Sequence, residues 1–184
     1  MIEERELVQR ILAGNTNAFG QLVRQYEKLV FYVIRRLVTE QQDVEDICQE
    51  VFIKVYKNLS SFAFEAKLST WIARIAYLTA VNYLKKAGRR PTTAMPETAD
   101  FIAEGQDDPA QLLVQQDVSA YVNRLIEQLP LPYRTVLTLY HLNEFSCEEI
   151  EQITGMPEGT VKSYLYRARR QLKDKLMTYL KNER

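Results

Sequence analysis

Hydrophobic positions along the 184-residue chain recur almost throughout at the helical spacing of three and four, and runs of strict alternation are nearly absent. The pattern predicts helices over about 3–13, 17–38, 41–57 and 69–87, with Gly14 and Asn15 ending the first. Between the third and fourth, residues 58–68 hold Ser60, Ser61, Phe62 and Phe64 and read as a loop with two aromatics. Periodicity collapses over 91–107, a linker of Pro, Thr, Ala, Asp and Glu. Asp108 and Pro109 then suit the cap and first position of a helix running to about 128. Three more follow at about 132–142, 146–154 and 157–181. The expected fold is all-α: two small helical domains, 1–90 and 109–184, joined by a flexible linker over 91–108.

The last two helices carry the sharpest signal. Ser146 and Glu149 have the spacing of a capping box, in which hydroxyl and carboxylate satisfy the orphan amides of a helix start. Ile150 and Ile153 follow, then Gly155, a natural helix stop. Met156 and Pro157 open the next helix, and two helices around a tight Gly turn form a helix-turn-helix pattern. At about 100° per residue, Val161, Leu165, Ala168 and Leu172 make a core stripe. Ser163, Tyr166, Arg167 and Arg170 lie opposite, flanked by Lys162 and Arg169, with Gly159 and Thr160 in the first turn. Such a helix docks its apolar side on its own domain and offers cations to base edges and phosphates. Its bland counterpart is a surface helix with a solvated basic face.

In the first domain, helix 43–57 sets Val44, Ile47, Cys48, Val51, Phe52 and Val55 on one face. Asp46, Gln49, Glu50, Ile53 and Lys57 lie opposite, as a solvated face or as a docking surface with Ile53 as apolar anchor. Helix 69–87 is expected to bury Trp71, Ile75 and Leu78, widened by Leu68 and Ile72. Beside them runs a stripe of Arg74, Tyr77, Val81 and Lys85, ending in Lys86, Arg89 and Arg90. Cations beside aromatics suit single-stranded nucleic acid, which needs charge for phosphates and stacking surface for bases. Phe62 and Phe64 either help hold an extruded base or pack the loop back on the core.

Net charge is zero, which first counts against a nucleic-acid binder. The distribution reverses that. Residues 1–90 carry 14 Lys and Arg against 10 Asp and Glu, and 119–184 carry 10 against 8. Residues 91–118 hold six acids (Glu97, Asp100, Glu104, Asp107, Asp108 and Asp117) and no Lys or Arg. Two basic ends flank an acidic middle. No apolar run approaches the roughly 20 residues of a membrane span, and Glu3, Glu4 and Glu6 do not make a signal peptide. Cys48 and Cys147 form neither a disulfide framework nor zinc spacing, so a reduced, cytoplasmic protein is expected. His141 stands alone, with no metal-ligand cluster, phosphate loop or nucleophile elbow, so neither enzyme nor cofactor is expected.

The strings DICQEVFIKVY at 46–56, STWIARIA at 69–76, NYL at 82–84 and GRRP at 88–91 resemble the sigma-70 family of RNA polymerase sigma factors. The likeness is to its extracytoplasmic-function group, near the sigma-E branch, and continues with LP at 129–130, YR at 133–134, GTVKS at 159–163 and RAR at 167–169. The resemblance implies that residues 1–90 bind the β′ clamp helices of core RNA polymerase through Asp46, Gln49, Glu50 and Ile53. It implies that Phe62, Phe64, Arg74, Tyr77, Leu78, Val81 and Lys85 recognise and melt the −10 element as single strands. Residues from about 109 would touch the β flap and read duplex −35 DNA through Thr160, Lys162, Ser163, Tyr166, Arg167 and Arg170. An anti-sigma factor is the implied regulator. Leu78 stands where relatives usually carry Asn, Val81 where the sigma-E pattern is basic, and Tyr164 where Arg is frequent. These departures bear on promoter preference and not on the overall role. A stand-alone helix-turn-helix regulator is the rival reading, and it gives no reason for the aromatic and basic stripe.

Overall fold

The computed structural model describes residues 2–88, 118–141 and 143–182. Linker 91–108 and the predicted helix start at Asp108 and Pro109 lie outside them. Eight α-helices and one 3-10 turn, with no strand, are found among the described residues. α1 spans Ile2–Leu12, α2 Thr16–Arg35, α3 Gln41–Asn58 and α4 Leu68–Lys86, with the 3-10 turn at Leu59–Ser61. α5 spans Val118–Glu127, α6 Leu131–His141, α7 Cys147–Thr154 and α8 Glu158–Asn182.

The junction of α1 and α2 shows how local chemistry sets the boundaries. Gly14 takes a left-handed φ of 88°, and Asn15 accepts from the Ala18 amide through its side chain at 3.0 Å. α2 then buries Leu22, Val30 and Ile34, and α3 buries Val44, Ile47, Val51 and Val55 of its predicted face, with Cys48 and Phe52 half-buried. α4 packs against both. Burying one such aliphatic side chain is worth roughly 1.5–3 kcal/mol, so these interlocking stripes hold the first bundle together. In the second half α6, α7 and α8 pack on one another, with Ile150, Ile153, Val161, Leu165 and Ala168 buried.

The two halves are not separate. α4 also packs against α7, and α2 touches α6, so the buried apolar cluster runs on from one half into the other. Lys67 pairs with Glu149 at 3.0 Å, and Arg36 donates to the Asn123 amide oxygen at 3.3 Å.

Candidate nucleic-acid interface

α7 begins with the predicted box. The Glu149 amide donates to the Ser146 hydroxyl at 3.1 Å, and the Ser146 amide donates to the Glu149 carboxylate at 2.9 Å. The helix stops at Gly155, whose φ of 77° a side chain would resist, and the Gly155 amide donates to the Glu151 carbonyl at 2.7 Å. That rigid corner fixes the entry of α8. Val161, Leu165 and Ala168 are buried, while Lys162, Tyr166 and Arg170 are exposed, Tyr166 at 67%. Thr160, Ser163 and Arg167 are half-buried along the same side. The predicted face is therefore one continuous surface. Tyr164 points the other way, buried against Tyr133 with ring centroids 5.1 Å apart.

Arg169 borders this face and is held in place. Its Nε donates to His141 Nε2 at 3.1 Å, and its guanidinium lies 5.1 Å over the Tyr140 ring. Burial and the Arg169 charge both lower the His141 pKa, which keeps the imidazole neutral and able to accept. Sequence spacing placed Arg169 at the flank of the face but did not give it these partners.

α4 requires a correction. The expected core stripe of Trp71, Ile75 and Leu78 is not the buried one: Leu78 is 42% exposed, and Trp71 and Ile75 are half-buried. The core side is instead Leu68, Ile72, Ala73, Ala76, Ala80 and Leu84. Tyr77 and Val81, expected on the open stripe, are buried with it, at 6% and 7% exposure. Arg74 and Lys85 are exposed as expected. The open stripe therefore runs Trp71, Arg74, Leu78, Asn82 and Lys85, so Trp71 and Asn82 take the places given to Tyr77 and Val81. Helix α4 is apolar almost all round, and a 3.6-residue period cannot choose between two apolar sides.

The loop aromatics join that stripe. Phe62 is buried and packs on Trp71 at 5.1 Å and on Phe64 at 4.6 Å. Phe64 is half-buried with φ 60°, and the Arg5 guanidinium sits 4.8 Å over its ring. Of the two readings left open, Phe62 takes the packed one here.

On α3, Asp46, Gln49, Glu50 and Ile53 are exposed together, Ile53 at 53%. Glu50 pairs with Lys54 at 2.7 Å, and Lys54 also donates to the Thr79 hydroxyl of α4 at 3.2 Å. Exposed Tyr56, edge-on to Phe19 at 4.9 Å, extends the face and was not singled out from sequence. Burial, with Glu45 adding, pushes the Cys48 thiol up to about 11, which leaves it protonated and unreactive at neutral pH.

Residues 22–90 match the family Sigma-70 region 2, and residues 119–172 match Sigma-70, region 4. The RNA polymerase sigma-H factor of Pseudomonas aeruginosa is 35% identical, across 97% of this chain and 96% of its own. The chain belongs to the sigma-70 family. The ECF RNA polymerase sigma-E factor of Escherichia coli K12 is 36% identical over 98% of this chain and 97% of its own, which sets the chain in the extracytoplasmic-function group. Among solved structures, CnrH in complex with the cytosolic domain of CnrY has a TM-score of 0.66 at 22% identity, covering 95% of this chain and 97% of that one. The sigma factor RpoE of Bartonella quintana, in complex with the anti-sigma factor NepR, gives 0.65 at 24%, covering 86% and 96%. Both share the fold. As a sigma-family member the protein is a transcription-initiation factor and not an enzyme. No helix among the described residues is long and apolar enough to cross a membrane.

Proposed function

We propose that this sigma-family chain binds core RNA polymerase in the cytoplasm and directs it to a defined class of promoters. The observation that carries the reading is α8: apolar side docked, Lys162, Tyr166 and Arg170 open, set at a fixed angle by a capped α7 and Gly155. A helix so presented fits the major groove of a duplex −35 element, with Thr160, Ser163 and Arg167 within the same footprint. Trp71, Arg74, Leu78, Asn82 and Lys85 of α4, with Phe64 beside them, supply stacking surface and charge for the separated −10 strand. The exposed Asp46, Gln49, Glu50 and Ile53 face meets the β′ clamp helices, and the α5–α8 half meets the β flap. On this reading residues 1–90 and 109–184 are the two working domains, and the acidic linker 91–108 lies in a basic channel toward the RNA exit path.

An anti-sigma factor is the regulator proposed here, by analogy with the complex of RpoE with the anti-sigma factor NepR. Run-off transcription with core polymerase on a randomised promoter library tests the whole reading. Defined start sites with two enriched elements are expected. Silence with intact polymerase binding would favour a stand-alone regulator. Replacing Asp46 and Glu50 together with Lys is expected to abolish polymerase binding, and undiminished binding would remove the docking assignment.

A further inference from the structure

Arg5 of α1 belongs neither to the open stripe of α4 nor to the exposed face of α3. α1 is fastened without it: Leu7, Val8 and Ile11 are buried, and the Tyr26 hydroxyl of α2 donates to the Glu4 carboxylate at 3.3 Å. Burial, with that carboxylate adding, raises the Tyr26 pKa, so the phenol stays a donor. The positive pole of the helix dipole favours the acids Glu3 and Glu4 at this end and disfavours a cation. Arg5 is nonetheless there, exposed, with its guanidinium 4.8 Å over the Phe64 ring. Among the described residues it makes no ion pair or hydrogen bond, although Glu65 follows Phe64 in the loop. The ring beneath it is out of the ordinary too. Phe64 has a φ of 60°, in the left-handed region where a bulky side chain is rare. Backbone held in such a region gathers at binding sites, where its surroundings over-determine it. Phe62 braces the Phe64 ring at 4.6 Å and packs in turn on Trp71 of the α4 stripe at 5.1 Å. Arg5, Phe64, Phe62 and Trp71 thus form one ladder from α1 to α4.

We infer that Arg5 is a further binding residue of the −10 face: Phe64 holds its guanidinium by one plane, and the N–H rim donates to a backbone phosphate of the separated strand. This rests on the reading of α4 as a strand-binding surface. The two interactions do not compete. The five N–H donors of a guanidinium lie in its plane and point outward, so a ring against that plane leaves all of them for a ligand. A carboxylate partner would have consumed them. Phosphate oxygens match this fork in pairs, whereas a base would find the Arg5 side of the Phe64 ring already covered. Bases therefore stack along Trp71, and Arg5 takes the backbone at the loop. The strand then meets positive charge on both sides of the aromatic surface, from Arg74 and Lys85 on α4 and from Arg5 across the loop. A guanidinium already fixed on the ring loses less side-chain freedom when the strand binds.

The test titrates holoenzyme, made from core polymerase and the full chain, with a fluorescein-labelled single-stranded 12-mer. The 12-mer carries a −10 element selected by run-off transcription, and core polymerase alone gives the background. Arg5→Gln is expected to weaken binding roughly tenfold. It is also expected to make log K against log salt shallower by about 0.7, the share of one phosphate on a single strand. Arg5→Lys should keep the slope and recover only part of the affinity, since an ammonium has the charge without the planar fork. Among 12-mers with a single methylphosphonate, one position should weaken the native holoenzyme and make no difference to Arg5→Gln. An unchanged salt slope in Arg5→Gln overturns the contact. So does an affinity loss that comes with a lower urea midpoint and with no methylphosphonate position tied to Arg5, which is the behaviour of a merely structural residue. Arg74→Gln checks α4 separately: undiminished binding there removes the strand-binding reading itself. An effect of Arg74→Gln without one of Arg5→Gln removes Arg5 alone.

Discussion

Single residues at the sites expected to face the promoter differ in burial, and burial decides what a substitution at each can do. Tyr164, on the helix expected to read DNA, is buried against Tyr133 and lies away from the exposed face of α8. Tyr164→Arg should therefore not add a DNA contact. It would force a guanidinium into an aromatic core and give up the ring pairing, costing roughly 2–4 kcal/mol. Urea denaturation should show the midpoint falling, with no gain in −35 affinity; an unchanged midpoint with tighter binding would contradict the burial. Leu78 is the opposite case. It is open to solvent in the middle of the α4 stripe, so Leu78→Asn should leave stability within about 0.5 kcal/mol while changing which −10 bases are preferred in a randomised promoter library. A shift in melting temperature without a shift in preference would place Leu78 in the core after all.

At the scale of elements, how far each helix was legible followed from how lopsided its residues are. α8 alternates buried aliphatics with charges, so its core stripe of Val161, Leu165 and Ala168 could be assigned by angle alone. α3 was legible for the same reason. α4 was not, because Trp71, Ile75 and Leu78 on one side look as apolar as Ile72, Ala76 and Leu84 on the other. What settled its rotation was packing against α2, α3 and α7 together, which no local pattern encodes. α7 owes its position to its two ends, and they can be tested separately. Ser146→Ala removes one cap and should cost about 1 kcal/mol. Gly155→Ala meets no neighbouring atom within 4 Å, so its cost, also about 1 kcal/mol, is purely that of a left-handed backbone. Hydrogen exchange should show faster opening of the Glu149 amide in the first variant and of the Gly155-proximal amides in the second, with α3 unaffected in both. Loss of protection across the whole chain would mean that α7 is not an independent piece of the architecture.

The arrangement of the whole molecule was the part least legible in the sequence, because the apolar cluster shared by the two halves is edged by scattered polar residues with no period: Lys67, Thr70, Arg74, Arg36, Asn123 and Glu149. Its pH dependence nevertheless follows from one of them. Burial pushes the Glu149 carboxyl upward, but the Ser146 amide, Lys67 and Thr70 outweigh it, and the net pKa is below the ordinary carboxylate value. A carboxylate depressed in the folded state contributes stability that is fully present above its unfolded pKa, about 4.3, and is lost as pH falls through the lower folded value. The stability that Glu149 contributes should therefore hold from neutral pH down to about 5 and decline on further acidification. His141, lowered by burial and by Arg169, has the same sign in a higher window: its contribution is present above about 6.5 and declines below it. That change concerns the placement of Arg169 and not the contact between the halves, so the two are separable. Urea denaturation followed against pH should show a single step of lost stability below pH about 5 in the native chain. In Glu149→Gln that step should be absent. A step centred near pH 6.5, or one that survives in Glu149→Gln, would assign the acid sensitivity to another group and remove Glu149 as its source.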